Sequence, residues 1–373
     1  MIYLDNAATS RYKPNCVLSA VEYEIRHAAN PGRSGHNSAL LAAEKISSAR
    51  ETLIEFFDAA YHNVVFTKNC TEALNLAFNI LTQGHVIVTA NEHNSVLRPL
   101  YRLAADNLIT LSVVYPTSDG CIEPIEIERR IKKNTVMIAA NHVSNVTGIE
   151  TDLYNIGKIA DKHGIIFVVD AAQSAGHIRI DMSKLKIDML AAPAHKGLYG
   201  VQGCGFLIFN NILTVPPLLC GGTGTSSDSV EQPVAPPEAQ EAGTLNTPAI
   251  AALNEGVKWT DKNFAALSKN NTKLTAELCY GLKNIGKCII YSPENCSGVV
   301  SFNLDSIDCS AVADFLNERE IAVRSGLHCA PLIHRHLCSS GAVRVSVGHG
   351  NKLSDIRKLL QAVESLLCEV SRV

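Results

Sequence analysis

Two stretches decide how this chain is read: Ile165-Ile-Phe-Val-Val-Asp170-Ala-Ala-Gln173-Ser-Ala-Gly176 and, shortly after, Pro193-Ala-His-Lys196-Gly-Leu-Tyr-Gly200. Five apolar residues ending in an aspartate have the pattern of a strand buried on both faces, as in a parallel sheet, with a carboxylate at its C-terminal tip. A lysine in a turn of small residues, beside a histidine, comes next. Alone, Lys196 is as readily a surface lysine after an ordinary strand. Paired with Asp170 and Gln173, it supplies what a Schiff-base cofactor requires: an amine to hold an aldehyde and a carboxylate to keep a pyridinium nitrogen protonated. The cofactor with both demands is pyridoxal 5'-phosphate (PLP).

Outward from these stretches, helical and strand-like segments alternate. Residues 38–57 and 71–81 have helical spacing, and 63–67, 85–89, 108–115, 136–140 and 165–170 read as strands. Such alternation predicts an α/β sandwich around a mostly parallel sheet. Residues 221–248 break the pattern with Gly221-Gly-Thr223-Gly224-Thr225 and several prolines, and read as a long loop. Beyond it we expect helices at about 249–268 and 270–285, strands near 298–303 and 342–346, and a closing helix at 352–370. At 373 residues, two domains are expected: a large α/β domain over 14–248, and a smaller α+β domain formed by 1–13 and 249–373.

Composition narrows the function. A formal net charge of −3 gives no electrostatic case for nucleic acid, and no apolar stretch is long enough for a membrane span. The segment from Met1 shows no basic run leading into an apolar one, the pattern of an export signal. Twelve cysteines, scattered from Cys16 to Cys368 without a C-x-x-C pair, argue against a structural zinc site or disulfide framework. Free thiols in a reducing cytoplasm are the expectation, with no bound metal.

Ligands of open α/β sheets gather at the carboxyl ends of strands, and several polar residues fall there. Cys70 and Thr71 begin a helix after the strand at 63–67. Thr71 is either a phosphate seat with the backbone N–H groups or a plain helix cap. His93, after the strand at 85–89, can stack on a flat ring and shuttle protons, or simply be satisfied locally. Asn145 sits where an amide can bond a ring hydroxyl, and His195 where an imidazole can reach a phosphate. Farther on, Arg324-Ser-Gly-Leu-His-Cys329 puts a thiol beside a cation and an imidazole, a setting that favours thiolate. Arg344, between apolar residues of a strand, is either a surface charge or a fork for a substrate carboxylate.

In this order the motifs resemble the class V aminotransferase-like PLP enzymes, and among them the cysteine desulfurases. The resemblance spans nearly the whole chain: Tyr3-Leu-Asp-Asn-Ala-Ala-Thr9, Asn30-Pro-Gly-Arg-Ser-Gly-His36, Thr71-Glu-Ala73, Glu92-His93, Val143-Ser-Asn-Val-Thr-Gly148, Asp170–Gln173, His195-Lys196 and Arg324–Cys329. The last segment looks like the short loop of the group II (SUF-type) desulfurases, which include selenocysteine lyase-like proteins. The resemblance implies fold type I, with a seven-stranded-type sheet in the large domain. It implies that Lys196 holds PLP and serves as acid and base. Asp170 would pair with the ring nitrogen, Gln173 and Asn145 with the ring oxygen, and His93 would stack on the ring. Cys70, Thr71 and His195 would face the phosphate, with Thr223 and Gly224 reaching it from the partner of a homodimer. Arg344, Arg324, His36 and Asn145 would meet the substrate.

The reaction so implied is desulfuration of L-cysteine to L-alanine, leaving a persulfide on Cys329 for an acceptor protein or a reductant. The alternatives are a selenocysteine lyase or other C–S lyase that does not need the persulfide, with L-selenocysteine a possible substrate, and a non-catalytic sulfur-handling partner. Three positions depart from the family pattern. Pro193-Ala194 replaces a hydroxyl residue before the lysine, Cys70 stands where Thr or Ser is usual, and 221–241 is shortened and proline-rich.

Overall fold

The apolar run ending at Asp170 forms the middle strand of a seven-stranded sheet. The structure, a computed structural model, describes residues 1–31, 35–117, 120–225 and 228–370. Along the chain, β1 (Ile2–Tyr3), α1 (Asn15–Arg26) and α2 (Asn37–Phe56) precede the alternating part. That part is β2 (His62–Thr67), α3 (Cys70–Phe78), β3 (Gly84–Thr89), α4 (Asn94–Ala105), β4 (Ile109–Val114), α5 (Pro124–Glu128), β5 (Thr135–Asn141), α6 (Leu153–His163), β6 (Ile166–Asp170), β7 (Met189–Pro193) and β8 (Gly205–Asn210). After the loop of 211–246 come α7 (Thr247–Ile285), β9 (Cys288–Ile290), β10 (Val299–Leu304), α8 (Cys309–Glu318), β11 (Ile321–Ala322), β12 (Arg324–Gly326), α9 (Pro331–His336), β13 (Ala342–Ser346) and α10 (Leu353–Val370).

The large sheet has the order β2-β8-β7-β6-β5-β3-β4. Four of its pairings are parallel, and β8 runs antiparallel to both β2 and β7. Alternate side chains of β6 enter opposite cores, as the two-residue period of a strand requires. Phe167 and Val169 pack with Leu53 of α2 and Leu253 of α7, while Val168 packs with Leu74 of α3 and Leu97 of α4. Burial on both faces explains the unbroken apolar run.

Three sequence expectations change. The helices expected at 249–268 and 270–285 are one 39-residue helix, α7. No proline or glycine interrupts the chain at 268–271, and the Asn271 amide meets His177 Nδ1 at 3.2 Å. Tertiary contact thus overrides weak local propensity. The N-terminal part of α7 (Ile250, Leu253, Val257) lies in the large core, and the C-terminal part (Leu274, Leu278, Leu282) in a second core with Leu4, Phe302, Val343 and Leu359. The 248/249 division therefore falls at the start of a helix shared by both cores. The helix expected at 71–81 starts at Cys70 and stops at Phe78. Strands β7 and β8, not separated in the sequence reading from the lysine turn, complete the sheet.

The second core carries an antiparallel sheet, β12-β13-β10-β9, and a two-stranded parallel pair of β1 with β11. Two glycines bring the β6 and β7 tips together. A Cβ on Gly176 (φ +86°) would lie 2.2 Å from the Gly197 carbonyl oxygen, and one on Gly197 2.3 Å from that of Ala175. Only glycine permits this approach. Among the described residues no helix is long and apolar enough to cross a membrane, and no group of three or more His, Cys, Asp or Glu could hold a metal ion.

Candidate active site

The C-terminal tips of β3, β5, β6 and β7 converge on one cavity of about 130 Å³. Cys70, Thr71, His93, Asn145, Asp170, Gln173, His195 and Lys196 all line it, joined by Asn69, Asn141 and Pro193 among others. The Lys196 turn is closed by Tyr199 N–H to the Lys196 carbonyl (3.0 Å) and Gly200 N–H to that of Ala194 (2.9 Å). The His195 carbonyl accepts from the Ser10 N–H (3.0 Å) and from Lys13 Nζ (3.2 Å), pinning the turn to the chain's start. Burial lowers the Lys196 pKa, while Asp170 and Cys70 oppose the shift. A more readily neutral amine is a better nucleophile toward an aldehyde.

Asp170 is 5% exposed. Burial raises its pKa, and the Ala172 N–H (2.9 Å to Oδ1) and Lys196 hold it down. The Cys70 thiol points at the same oxygen from 3.7 Å and is kept protonated by burial and by the Asp170 charge. The Cys70 side chain thus belongs to Asp170, and only its backbone remains for an anion at the start of α3. Capping of α3 falls to Asn69, not Thr71: Asn69 Oδ1 accepts from the Glu72 N–H at 2.9 Å, and Thr71 is exposed at the second helical position. The Asn69-x-x-Glu72 spacing is a capping-box pattern that marked this in the sequence.

His93 caps α4, its Nδ1 accepting from the Ser95 N–H at 3.0 Å. The neutral ring therefore carries its proton on Nε2. Burial, then Lys196 and Arg324, push its pKa down to about 4, so the ring is uncharged at neutral pH. Gln173 Nε2 donates to the Ala7 carbonyl at 3.1 Å. Three buried atoms of residues lining the cavity, Asn141 Oδ1, Asn145 Oδ1 and His195 Nδ1, have no partner among the described residues.

Cys329 lies on an exposed turn with φ +58°, after His328 at φ +49°. Three hydrogen bonds hold this loop. The Asn94 N–H donates to the Cys329 carbonyl (2.7 Å), Asn145 Nδ2 to the His328 carbonyl (2.7 Å), and His328 Nε2 to the Ala342 carbonyl (3.0 Å). The imidazole expected beside the thiol is thus turned inward. Burial and Arg344 take its pKa to about 3, so it supplies no positive charge.

Arg344 is no surface residue, being 1% exposed. It pairs with Asp5 (2.9 Å) and donates to the Asn145 carbonyl (3.1 Å), while its Nε has no partner. Arg324 sits opposite it in the β12–β13 register and, among the described residues, makes no ion pair.

The structure does not bring every expected residue here: Cys329, Arg324 and Arg344 do not line the cavity. His36 caps α2, its Nδ1 accepting from the Ala39 N–H at 3.3 Å, and it does not line the cavity. Thr223 bonds Thr225 within its own exposed loop, and neither it nor Gly224 lines the cavity of this chain. Gly32, Arg33 and Ser34, of the Asn30–His36 stretch, lie outside the described residues. Sequence reading missed the pinning roles of Ser10, Lys13 and Asp5, which contact the site from more than 180 residues away.

Comparisons with known proteins bear on the family and the fold. A family described as Aminotransferase class-V matches residues 2–359. The chain is 36% identical to a probable cysteine desulfurase of Pyrococcus abyssi, over 98% of this chain and 94% of that protein. It resembles the apo structure of a cysteine desulfurase from Thermococcus onnurineus NA1 with TM-score 0.91 and 34% identity, covering 98% and 94% of the two chains. It also resembles Escherichia coli CsdA, a cysteine desulfurase solved as an S-sulfonic acid, with TM-score 0.88 and 27% identity over 98% and 94%.

Proposed function

This chain belongs to the class-V aminotransferase family, with its fold type I architecture, and from that premise we propose that it is a PLP-dependent cysteine desulfurase. One observation carries the assignment to this chain's own residues. The loop bearing Cys329 is bonded to the same α4 N-terminus and the same Asn145 that border the Lys196–Asp170 cavity.

The residues present fit PLP. Lys196 would hold its aldehyde and Asp170 its ring nitrogen, with the uncharged His93 ring against its face. The unpartnered Asn145 Oδ1 suits a ring hydroxyl, with Gln173 beside it. His195 Nδ1, Thr71 and the N–H groups opening α3 suit a phosphate. Pro193 gives no hydroxyl there, so those N–H groups carry more of the anion. When bound, PLP supplies an electron sink for the bond to hydrogen at the amino acid's Cα.

L-cysteine is the proposed substrate. Arg344, braced by Asp5, and Arg324, which makes no ion pair among the described residues, would attract its carboxylate. Lys196 Nζ takes and returns the Cα proton. Cys329 Sγ accepts the substrate sulfur, an S–S bond forming as the Cβ–S bond breaks with its electron pair left on carbon, which takes a proton in alanine. The persulfide then passes to an acceptor protein or a reductant. Thr223 and Gly224, half-buried and away from this chain's cavity, would serve a second copy in a homodimer. Twelve cysteines without a disulfide suit a reducing cytoplasm.

An absorbance spectrum followed by L-cysteine titration tests this. Protein given PLP should gain a visible band and form one alanine per cysteine, with sulfide released once a reductant is added. No band and no alanine would overturn the proposal. Cys329→Ser should keep the band, because none of the loop's three ties uses the Cys329 side chain, and lose turnover by on the order of a thousandfold. Full turnover in that variant would remove the persulfide step.

A further inference from the structure

Beside His93 lies a carboxyl group that the reaction above does not use. Glu92 has 0% exposure. Its Oε1 accepts from Thr89 Oγ1 (2.6 Å) and from the Asn141 N–H (2.8 Å), while its Oε2 is buried with no donor among the described residues. Among the described residues no lysine, arginine or histidine bonds to it. Asp170, at the tip of β6, is the charged group that acts on it, and it carries the same sign. Lys196 after β7 and His93 next to it in the chain make no bond to it, and His142 after β5 turns toward Glu150 at 3.6 Å.

A fully buried carboxylate with donors on one oxygen only and no cation is costly. Neighbouring buried amide atoms also lack partners among the described residues: the oxygens Asn91 Oδ1 and Asn141 Oδ1 and the donor Asn91 Nδ2. One proton on Oε2 makes the group neutral and so removes the cost of an unpaired buried charge. Asn141 Nδ2 donates back to the Asn91 carbonyl at 2.7 Å, and the next residue, His142, donates its N–H to the Asp170 carbonyl at 3.0 Å. Glu92 therefore ties the tip of β3 to that of β5, which is tied to β6.

We propose that Glu92 is a positioning residue, a neutral carboxylic acid that clamps these three strand tips and so fixes His93 relative to Asp170. The clamp's purpose rests on the PLP reading above; its protonation does not. Burial pushes the Glu92 pKa up to about 8, in the same direction.

Infrared difference spectra of the cofactor-free protein, wild type minus Glu92→Gln at neutral pH, test the protonation alone. The carbonyl stretch of a protonated carboxyl is expected in wild type, and a carboxylate signature in its place overturns the proposal. Glutamine reproduces one acceptor and one donor, so Glu92→Gln should turn over within about twofold of wild type, and Glu92→Ala should lose about tenfold to a hundredfold through misplaced groups. Equal losses in both variants overturn the neutral clamp, and an unimpaired Glu92→Ala overturns the clamp itself. If the wild type neither binds PLP nor turns over, the function fails while the infrared result still decides the state of Glu92.

Discussion

Asn145 shows how much one side chain does in this site. Its Nδ2 holds the His328 carbonyl, its own carbonyl accepts from Arg344, and its Oδ1 is left for a ligand. Asn145→Ala would strand a buried carbonyl, costing about 1–3 kcal/mol, and would free one of the three ties on the Cys329 loop. We expect Cys329 to be alkylated faster in that variant and L-cysteine turnover to fall by about tenfold or more. Unchanged alkylation would mean that the Asn94 N–H and the His328 ring hold the loop unaided. Such single-residue chemistry was legible only in part. Lys196, Asp170 and Cys329 announce themselves because their side chains define the chemistry. The Asn145–His328 bond joins residues 183 positions apart, and no local pattern encodes it. The neighbouring imidazole misled for the same reason: adjacency to Cys329 in sequence said nothing of the Ala342 carbonyl that captures it.

Among the elements, strands were readable where an apolar run stood between polar turns, as at β2, β3, β5 and β6. They were not readable at β7, Met-Leu-Ala-Ala-Pro, which is short, lacks β-branched residues and runs straight into the lysine turn. The antiparallel sense of β8 follows from pairing, which local sequence does not specify. Helix α7 is the clearest case. Its continuity across 269–271 depends on His177 and on two cores taken together, and a single substitution separates one helix from two. Lys269 is exposed, so Lys269→Pro disturbs no packing, yet within a continuous helix it removes a backbone donor and clashes with the preceding turn, costing about 3 kcal/mol. Between two helices it would cost little. A clear drop in Tm for Lys269→Pro, with Lys269→Ala near wild type, is expected, and equal Tm values would refute the single helix.

Across the whole molecule, burial of neutral imidazoles should govern stability in acid. His93, His177 and His195 have their pKa pushed down to about 4 and His328 to about 3, burial being the largest cause for each. In the unfolded chain they would take protons near their ordinary value of about 6.5, while the folded protein refuses them until far lower pH. Their contribution to stability is therefore complete above about 6.5 and lost progressively as pH falls toward about 4. Glu92 acts oppositely, since a pKa raised to about 8 favours the fold at low pH and weakens it as pH rises through that value. Between pH 5 and 6, the unfolded chain takes up about four protons on these imidazoles, with His85, His334 and His349 also pushed down by burial. Set against them are Glu92, Asp170, Asp188 and Glu241, whose pKa burial raises, and we expect stability to climb with pH. Above about 7 the imidazoles fall silent. Glu92 then opposes Lys13, whose pKa is lowered to about 8 by burial and whose contribution grows with pH in that range. Thermal melts of the cofactor-free protein should therefore show Tm rising steeply from about pH 4.5 to 6.5 and levelling near 7. His177→Gln should soften the acid slope by removing one of the four protons, and a Tm that stays flat from pH 5 to 6.5 would show that these imidazoles are not held neutral in the fold.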